Sequence, residues 1–250
     1  MKVVRAELTK FRSVSSTAWS LLSAVTLLIG FGILYSMVRV TRPPADPAGF
    51  DAVGVSLSGI QVAQFAVGVL GVLVITNEYA NGLIRTTFAA VPRRSPVLWG
   101  KAAVLATAVF TLSLPTAFGA FLAGQSVLSA EHLDTSLGQR GAARAIVGAA
   151  LYLSVVALLG LGLGAILRRT AGGVAAVIGV LLGPQLLTGF LPAEVADDVY
   201  RWLPSPAGLA ITTTRPDSTL LSPWAGFAVL LFYAAVVLAL GAWLLRRRDA

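Results

Sequence analysis

Six long apolar runs constrain this chain more than any other feature of its sequence. Each run has 21 to 24 residues and contains no Asp, Glu, Lys, Arg or His. A helix of about 20 residues crosses the ~30 Å hydrocarbon core of a bilayer, because each residue adds about 1.5 Å. The sequence therefore predicts an all-α polytopic membrane protein, with one transmembrane domain over residues 1–250. The predicted spans are 18–38, 53–76, 102–124, 145–167, 171–191 and 224–245.

Helix breakers occur inside these runs, notably Pro115 and Pro184. Neighbouring helices can satisfy the backbone groups that a proline frees, so we expect kinks and not chain ends there.

Composition excludes several classes of function. Only 12% of the residues are charged, against about 25% in soluble domains. The net charge of +8 comes from basic residues that flank the apolar runs, which favours membrane anchoring over a nucleic-acid partner. Without cysteine, disulfides and thiolate chemistry are excluded. The single histidine, His132, lies outside the spans, so their hydroxyls have no base beside them. We therefore predict no catalytic residue, bound cofactor or metal.

The distribution of basic residues predicts the orientation. The N-terminal segment, the stretch after the second span, the Arg168-Arg169 turn and the C-terminal tail hold 13 basic residues, and the other three loops hold 6. Cytoplasmic loops are enriched in Lys and Arg, so both termini should be cytoplasmic. In the N-terminal segment, Val4, Leu8 and Phe11 recur at helical spacing, which predicts an amphipathic helix in the headgroup region.

The last outer loop is long and has its own helical pattern. Val195, Val199 and Trp202 fall on one helical face between Pro192 and Pro204. This spacing predicts a short helix that lies on the outer leaflet or dips into it.

The sequence offers no energy source for transport within the chain. The predicted spans hold no charged residue that could relay an ion. The phosphate-loop pattern is also missing, because the only lysine that follows a glycine, Lys101, is followed by Ala102. If ATP drives this protein, a partner subunit binds it.

Uncharged polar residues mark the second predicted span. Gln61 and Gln64, with Phe65 beside them, either line a substrate path or hydrogen-bond to adjacent helices. Two small-residue pairs, Gly160 with Gly164 and Gly179 with Gly183, predict close helix packing, within the chain or between subunits.

The connector between the second and third spans, residues 77–101, is unusually polar. It carries Glu78 and four basic residues, Arg85, Arg93, Arg94 and Lys101. Thr76 or Asn77 is placed to cap a helix with Glu78 in its first turn. Gly82 weakens that helix, and Ser95 with Pro96 predicts the start of the next one.

This connector resembles a known family. The sequences EYANGLIRTT (78–87) and VPRRSPV (91–97), followed by Lys101, are similar to the segment after the second span in bacterial ABC transporter permeases of the type-2 export class. The basic N-terminal segment, six spans and long last outer loop also fit that family.

The resemblance implies a function in export from the bacterial cell. It implies a dimer of permeases in the plasma membrane, each docked to a cytoplasmic ABC ATPase that holds ATP and Mg²⁺. The connector would be a coupling helix, and the last outer loop would hold short re-entrant helices. The cargo would be a small drug, antibiotic, peptide or lipid, as in multidrug resistance. The alternative is a membrane anchor or regulatory subunit that recruits a cytoplasmic partner without transporting anything. By resemblance and position, the coupling residues are Glu78, Tyr79, Gly82, Arg85, Thr86, Arg93 and Arg94.

Overall fold

The computed structural model describes residues 7, 9, 15–42, 44, 49–83, 95–215, 217 and 219–247. In this part of the chain the fold is all-α, and six helices are long and apolar enough to cross a membrane. These are α1 (Ser15–Thr41), α3 (Ile60–Ala80), α4 (Ser95–Leu128), α5 (Ala142–Leu167), α6 (Thr170–Thr188) and α9 (Pro223–Arg247). The shorter elements are α2 (Ala52–Ser56), α7 (Ala193–Tyr200), α8 (Pro204–Leu209) and two 3₁₀ turns, Ser129–Glu131 and Ala210–Thr212.

The predicted spans agree with the helices except in the second and third. The other four agree within three residues at each end. Helix α4 begins at Ser95, as the Ser95-Pro96 pair predicts, and its 34 residues make it about 51 Å long. Pro115 and Pro184 both lie inside continuous helices, so the prediction that neither ends its helix is confirmed.

The second predicted span is divided, which the sequence did not show. Helix α2 ends at Ser56 and α3 begins at Ile60. Between them the backbone continues through three-residue turns, with the Ile60 amide donating to the Leu57 carbonyl at 3.0 Å. The break lies where α1 crosses closely: a Cβ on Gly59 would stand 2.1 Å from the Leu28 carbonyl oxygen.

Helix α5 is the centre of the bundle and is buried along most of its length. It crosses α3 at glycine: a Cβ on Gly160 would lie 2.1 Å from the Gly68 carbonyl oxygen, and a Cβ on Gly71 would lie 2.0 Å from the Ala157 carbonyl oxygen. The pair that contains Gly160 therefore packs within the chain. The other pair does not pack against the described part of the chain, where nothing lies within 4 Å of a Cβ built on Gly179 or Gly183.

The segment between α6 and α9 contains the predicted short helix, α7, followed by α8. Val195, Val199 and Trp202 are exposed, so α7 presents the expected apolar face to the surroundings. Helix α8 is buried between α5 and α9. A Cβ on Gly208 would meet the Tyr152 ring at 2.6 Å and Leu230 at 2.5 Å. The chain therefore re-enters the bundle at α8.

We name the two ends of the bundle after residues that lie there. At the Lys101 end, α3 stops, α4 starts, and the α5–α6 turn lies close by, because Thr170 on α6 donates to Thr76 on α3 at 3.0 Å. At the Asp51 end, the Asp51 carboxylate accepts from the Thr214 amide at 2.8 Å and from its hydroxyl at 2.6 Å. The predicted N-terminal amphipathic helix falls largely outside the described residues, although Glu7 and Thr9 are helical.

Candidate functional site

A buried cluster of three charged side chains lies at the Lys101 end. The Lys101 ammonium lies 2.7 Å from a carboxylate oxygen of Glu7 and 2.7 Å from a carboxylate oxygen of Glu78. The exposed fractions are 2% for Lys101, 5% for Glu7 and 7% for Glu78. Burial of a charge in a low-dielectric interior is unfavourable unless an opposite charge lies in contact, which is what each carboxylate finds in Lys101. We call these three residues the charge clamp.

The clamp joins three segments that are distant in sequence. Glu78 lies in the last turn of α3, Lys101 in the second turn of α4, and Glu7 in the N-terminal segment that precedes α1. A carboxylate near a helix C-terminus is disfavoured by the helix dipole. The contact with Lys101 offsets that effect and fixes the end of α3 against the start of α4.

The expected helix start at Thr76 or Asn77 is wrong. Helix α3 continues through both residues to Ala80. The Thr76 hydroxyl donates back to the Val72 carbonyl at 3.0 Å, so it is satisfied inside the helix and caps nothing. The Asn77 amide donates across the bundle to the Ser16 hydroxyl at 3.4 Å. Glu78 is therefore at the end of one helix and not in the first turn of another.

Gly82 ends α3. It lies just beyond the capping residue Asn81 and has φ = +69°, a left-handed conformation that residues with a Cβ avoid. A Cβ there would have no neighbour within 4 Å among the described residues, so the requirement for glycine rests on the backbone conformation. Gly82 acts as a helix stop.

Tyr79 contacts the next turn at this end. Its ring lies under the Arg168 guanidinium, 5.3 Å from the ring centroid, a favourable cation–π contact. Arg168 itself adopts φ = 56° as the C-cap of α5. The α5–α6 turn is thus tied to the end of α3.

The structure corrects the inference that the bundle contains no charge, and four of the predicted coupling residues lie outside the part of the chain that it describes. The predicted spans hold no charge, yet the bundle does bury charge, because Glu78 and Lys101 lie just beyond the predicted limits at 76 and 102 and turn inward. The sequence signal for this buried pair was an acid just after one predicted span and a lysine just before the next. Arg85, Thr86, Arg93 and Arg94 lie outside the described residues.

Neither a scan against models of protein families nor a search of curated proteins finds a match to this chain.

The suggested substrate-path residues are not brought together. Gln64 is buried, and its side-chain carbonyl accepts from Tyr152 and, at 3.1 Å, from Ser205 on α8. The Tyr152 and Ser205 hydroxyl oxygens lie 3.2 Å from each other beside the same carbonyl. Phe65 is partly buried against the core. For Gln64, the structure therefore favours the interpretation of a hydrogen bond between helices.

Gln61 has a different environment from Gln64. Its side chain is exposed and lines a groove of about 650 Å³ between α1 and the α2–α3 segment. Aromatic residues and Arg39 form much of the other wall. Among the three suggested residues, only Gln61 lines this groove.

Metal chemistry finds no support in the part of the chain that the structure describes. No group of three or more His, Cys, Asp or Glu residues there is placed to hold a metal ion. His132 is exposed and ends the first 3₁₀ turn with φ = 54°.

Proposed function

We propose that this chain is the permease subunit of an ATP-driven exporter in the bacterial plasma membrane. In this proposal the Lys101 end and both termini are cytoplasmic, in keeping with the excess of basic residues there. A partner ABC ATPase binds and hydrolyses ATP with Mg²⁺, and this chain performs no catalysis. The cargo is a small amphipathic solute such as a drug, antibiotic, peptide or lipid.

One observation carries the proposal: Lys101 joins both ends of the connector. Glu78 stands at the start of the connector and Lys101 at its end, 23 residues apart, yet their charged atoms lie 2.7 Å apart. When a connector between two helices is flexible, a force applied to it moves the loop and not the helices. A push on one whose ends are locked together moves α3 and α4 as a unit, which a coupling element requires.

The burial of Glu78 suggests how it would act in coupling. With its carboxylate turned towards Lys101 inside the bundle, Glu78 would transmit motion instead of touching the ATPase. Contact with the partner would then fall to other residues of the connector, including Arg85, Arg93 and Arg94.

A second copy of the chain completes the proposed transporter. Helix α6 is the spanning helix with the smallest buried share. The open space beside Gly179 and Gly183 on α6 would allow another helix to approach closely. This supports a permease dimer in which α6 contributes to the contact.

Inside-out membrane vesicles test the proposal. The chain is co-expressed with a candidate partner ABC ATPase, and uptake of a panel of fluorescent amphipathic dyes is followed. The proposal expects uptake of at least one dye only when the chain, the ATPase and ATP are all present.

Two other outcomes would contradict export driven by ATP. If the chain captures the ATPase but no dye accumulates, the membrane-anchor interpretation is favoured. If a dye accumulates without ATP when an ion gradient is imposed, the chain is an ion-driven carrier.

A further inference from the structure

The groove beside Gln61 has the features of a binding site, because aromatic, charged and uncharged polar residues all line it. Phe31, Tyr35 and Arg39 recur every four residues of α1 and therefore share one face over about 12 Å. The opposite wall contains Ser58 and Gln61. The volume of about 650 Å³ lies within the range of about 300–1,000 Å³ found for small-molecule sites.

Arg39 supplies a positive charge that no carboxylate neutralises within the described chain. Its guanidinium donates to the Tyr35 hydroxyl at 2.7 Å and lies 5.0 Å from the centroid of that ring. Its Nε is buried and has no hydrogen-bond partner among the described residues.

The neighbouring carboxylate in the groove, Asp51, is already engaged. It accepts from the Gly54 amide at 2.9 Å and from the amide and hydroxyl of Thr214. Asp51 therefore serves to hold the α2 N-terminus and the Thr214 loop together. Among the described residues that line the groove, Arg39 carries the charge that no opposite charge contacts.

Further along the groove lies one buried hydroxyl without a partner among the described residues. The Ser58 hydroxyl is buried and makes no hydrogen bond within the described residues. A buried donor without a partner destabilises a protein by about 1–3 kcal/mol. A hydrocarbon chain alone would leave the Ser58 hydroxyl unsatisfied, whereas a ligand with an acceptor atom beside Ser58 would satisfy it.

Exposed apolar side chains lie beside the groove on α1. Leu34 and Val38, which flank the groove-lining face of α1, are 54% and 43% exposed. In a bilayer these side chains would contact lipid. A ligand could therefore enter sideways from the membrane without crossing the packed core.

We propose that this groove binds an amphipathic anion, with its charged group on Arg39, its apolar part on Phe31 and Val62, and acceptor atoms at Ser58 and Gln61. The site goes beyond the proposed function and does not depend on it, because binding requires neither ATP nor a partner subunit. The anion is either a phospholipid of the surrounding leaflet or a solute that reaches the groove through it.

Fluorescence in lipid nanodiscs tests the site. The full chain is placed in phosphatidylcholine discs and titrated with 11-(dansylamino)undecanoate, an amphipathic anion whose emission rises in apolar sites. Its methyl ester is the uncharged control, and empty discs give the background. We expect saturable binding of the acid and about tenfold weaker binding of the ester.

Two matched variants test whether Arg39 supplies the positive charge that binds the acid. Arg39→Gln should weaken binding of the acid about tenfold and leave the ester unchanged. Arg42→Gln removes the same charge three residues further on, where the exposed side chain does not line the groove, and should change binding less than about twofold. Ser58→Ala, which alters no charge, should weaken binding of both probes about threefold.

Addition of phosphatidylglycerol to the discs separates the two sources of the anion. Displacement of the probe from the wild type but not from Arg39→Gln identifies a lipid occupant, and no displacement identifies a solute. The site is refuted if no saturable signal exceeds that of empty discs. It is also refuted if Arg39→Gln and Arg42→Gln weaken binding equally, since surface charge alone would then explain the result.

Discussion

The Lys101 ammonium and the Glu78 carboxylate lie 2.7 Å apart inside the bundle. Helix α3 ends beside Glu78, and α4 has just begun at Lys101. Glu7 contacts the same ammonium from the N-terminal segment. One lysine therefore holds three parts of the chain at the end where the basic connector leaves and re-enters the bundle.

Replacement of Lys101 by methionine should destabilise the protein strongly. The substitution leaves two buried carboxylates without their cation, and loss of one partner of a buried ion pair typically destabilises a protein by about 3–5 kcal/mol. Denaturant unfolding in a fixed mixed micelle measures the change. Arg169→Met, an exposed cation at the same end, should stay within about 0.5 kcal/mol of the wild type. Equal stabilities for the two variants would show that the clamp contributes nothing.

The coupling between Glu78 and Lys101 can be measured separately. In a double-mutant cycle with Glu78→Gln and Lys101→Met, contacting residues should show an interaction energy of about 0.5–3 kcal/mol. The same cycle between Lys101→Met and Glu131→Gln, an exposed acid in the turn that follows α4, should give none within error. Additive behaviour in the first cycle would contradict the contact.

Gly82→Ala and Gly119→Ala should shift stability in opposite directions. Neither added Cβ meets a described neighbour within 4 Å, but Gly82 has φ = +69°, whereas Gly119 lies inside α4. Alanine at Gly82 should destabilise by about 1 kcal/mol because of its left-handed backbone. Alanine at Gly119 should stabilise by about 0.5–1 kcal/mol. Unfolding midpoints measure both, and the same sign for both variants would contradict the assignment of Gly82 as a helix stop.

The two small-residue pairs should also respond differently. A methyl group on Gly160 would stand 2.1 Å from the Gly68 carbonyl oxygen, so Gly160→Ala should force the helices apart and destabilise the chain by about 1–3 kcal/mol. Gly179→Ala meets no neighbour and should leave the fold intact while it weakens self-association. Unfolding and energy transfer between labelled copies in vesicles report the two effects. Undiminished self-association in Gly179→Ala would remove α6 from the proposed dimer contact.

Much of the fold follows from the sequence because the membrane imposes simple rules. The length of the apolar runs alone located four spans closely, and the helical spacing of Val195, Val199 and Trp202 located α7. The divided second span was missed because its cause is tertiary: Gly59 packs against the Leu28 carbonyl on a helix about thirty residues earlier.

The site was only partly predictable, for the same reason. The sequence singled out Glu78 and placed Lys101 in the same connector, but it did not show that the two side chains touch. It did not show the contact between Lys101 and Glu7 either, because these residues are 94 positions apart and only folding brings them together. Gln61 and Gln64 look equivalent in the sequence. They differ in the structure because Ser205, on the re-entrant α8, reaches Gln64 and not Gln61.

The most direct test of the account is the ATP turnover of the proposed complex with an ABC ATPase when Glu78 is replaced by glutamine. Lys101 keeps Glu7 as its partner in this variant, so the chain should still fold and still bind the ATPase. The account predicts that transport and transport-stimulated ATP turnover fall together, while Glu131→Gln behaves as the wild type. Wild-type turnover and transport in Glu78→Gln would contradict the proposal that the charge clamp transmits motion from the connector to α3 and α4.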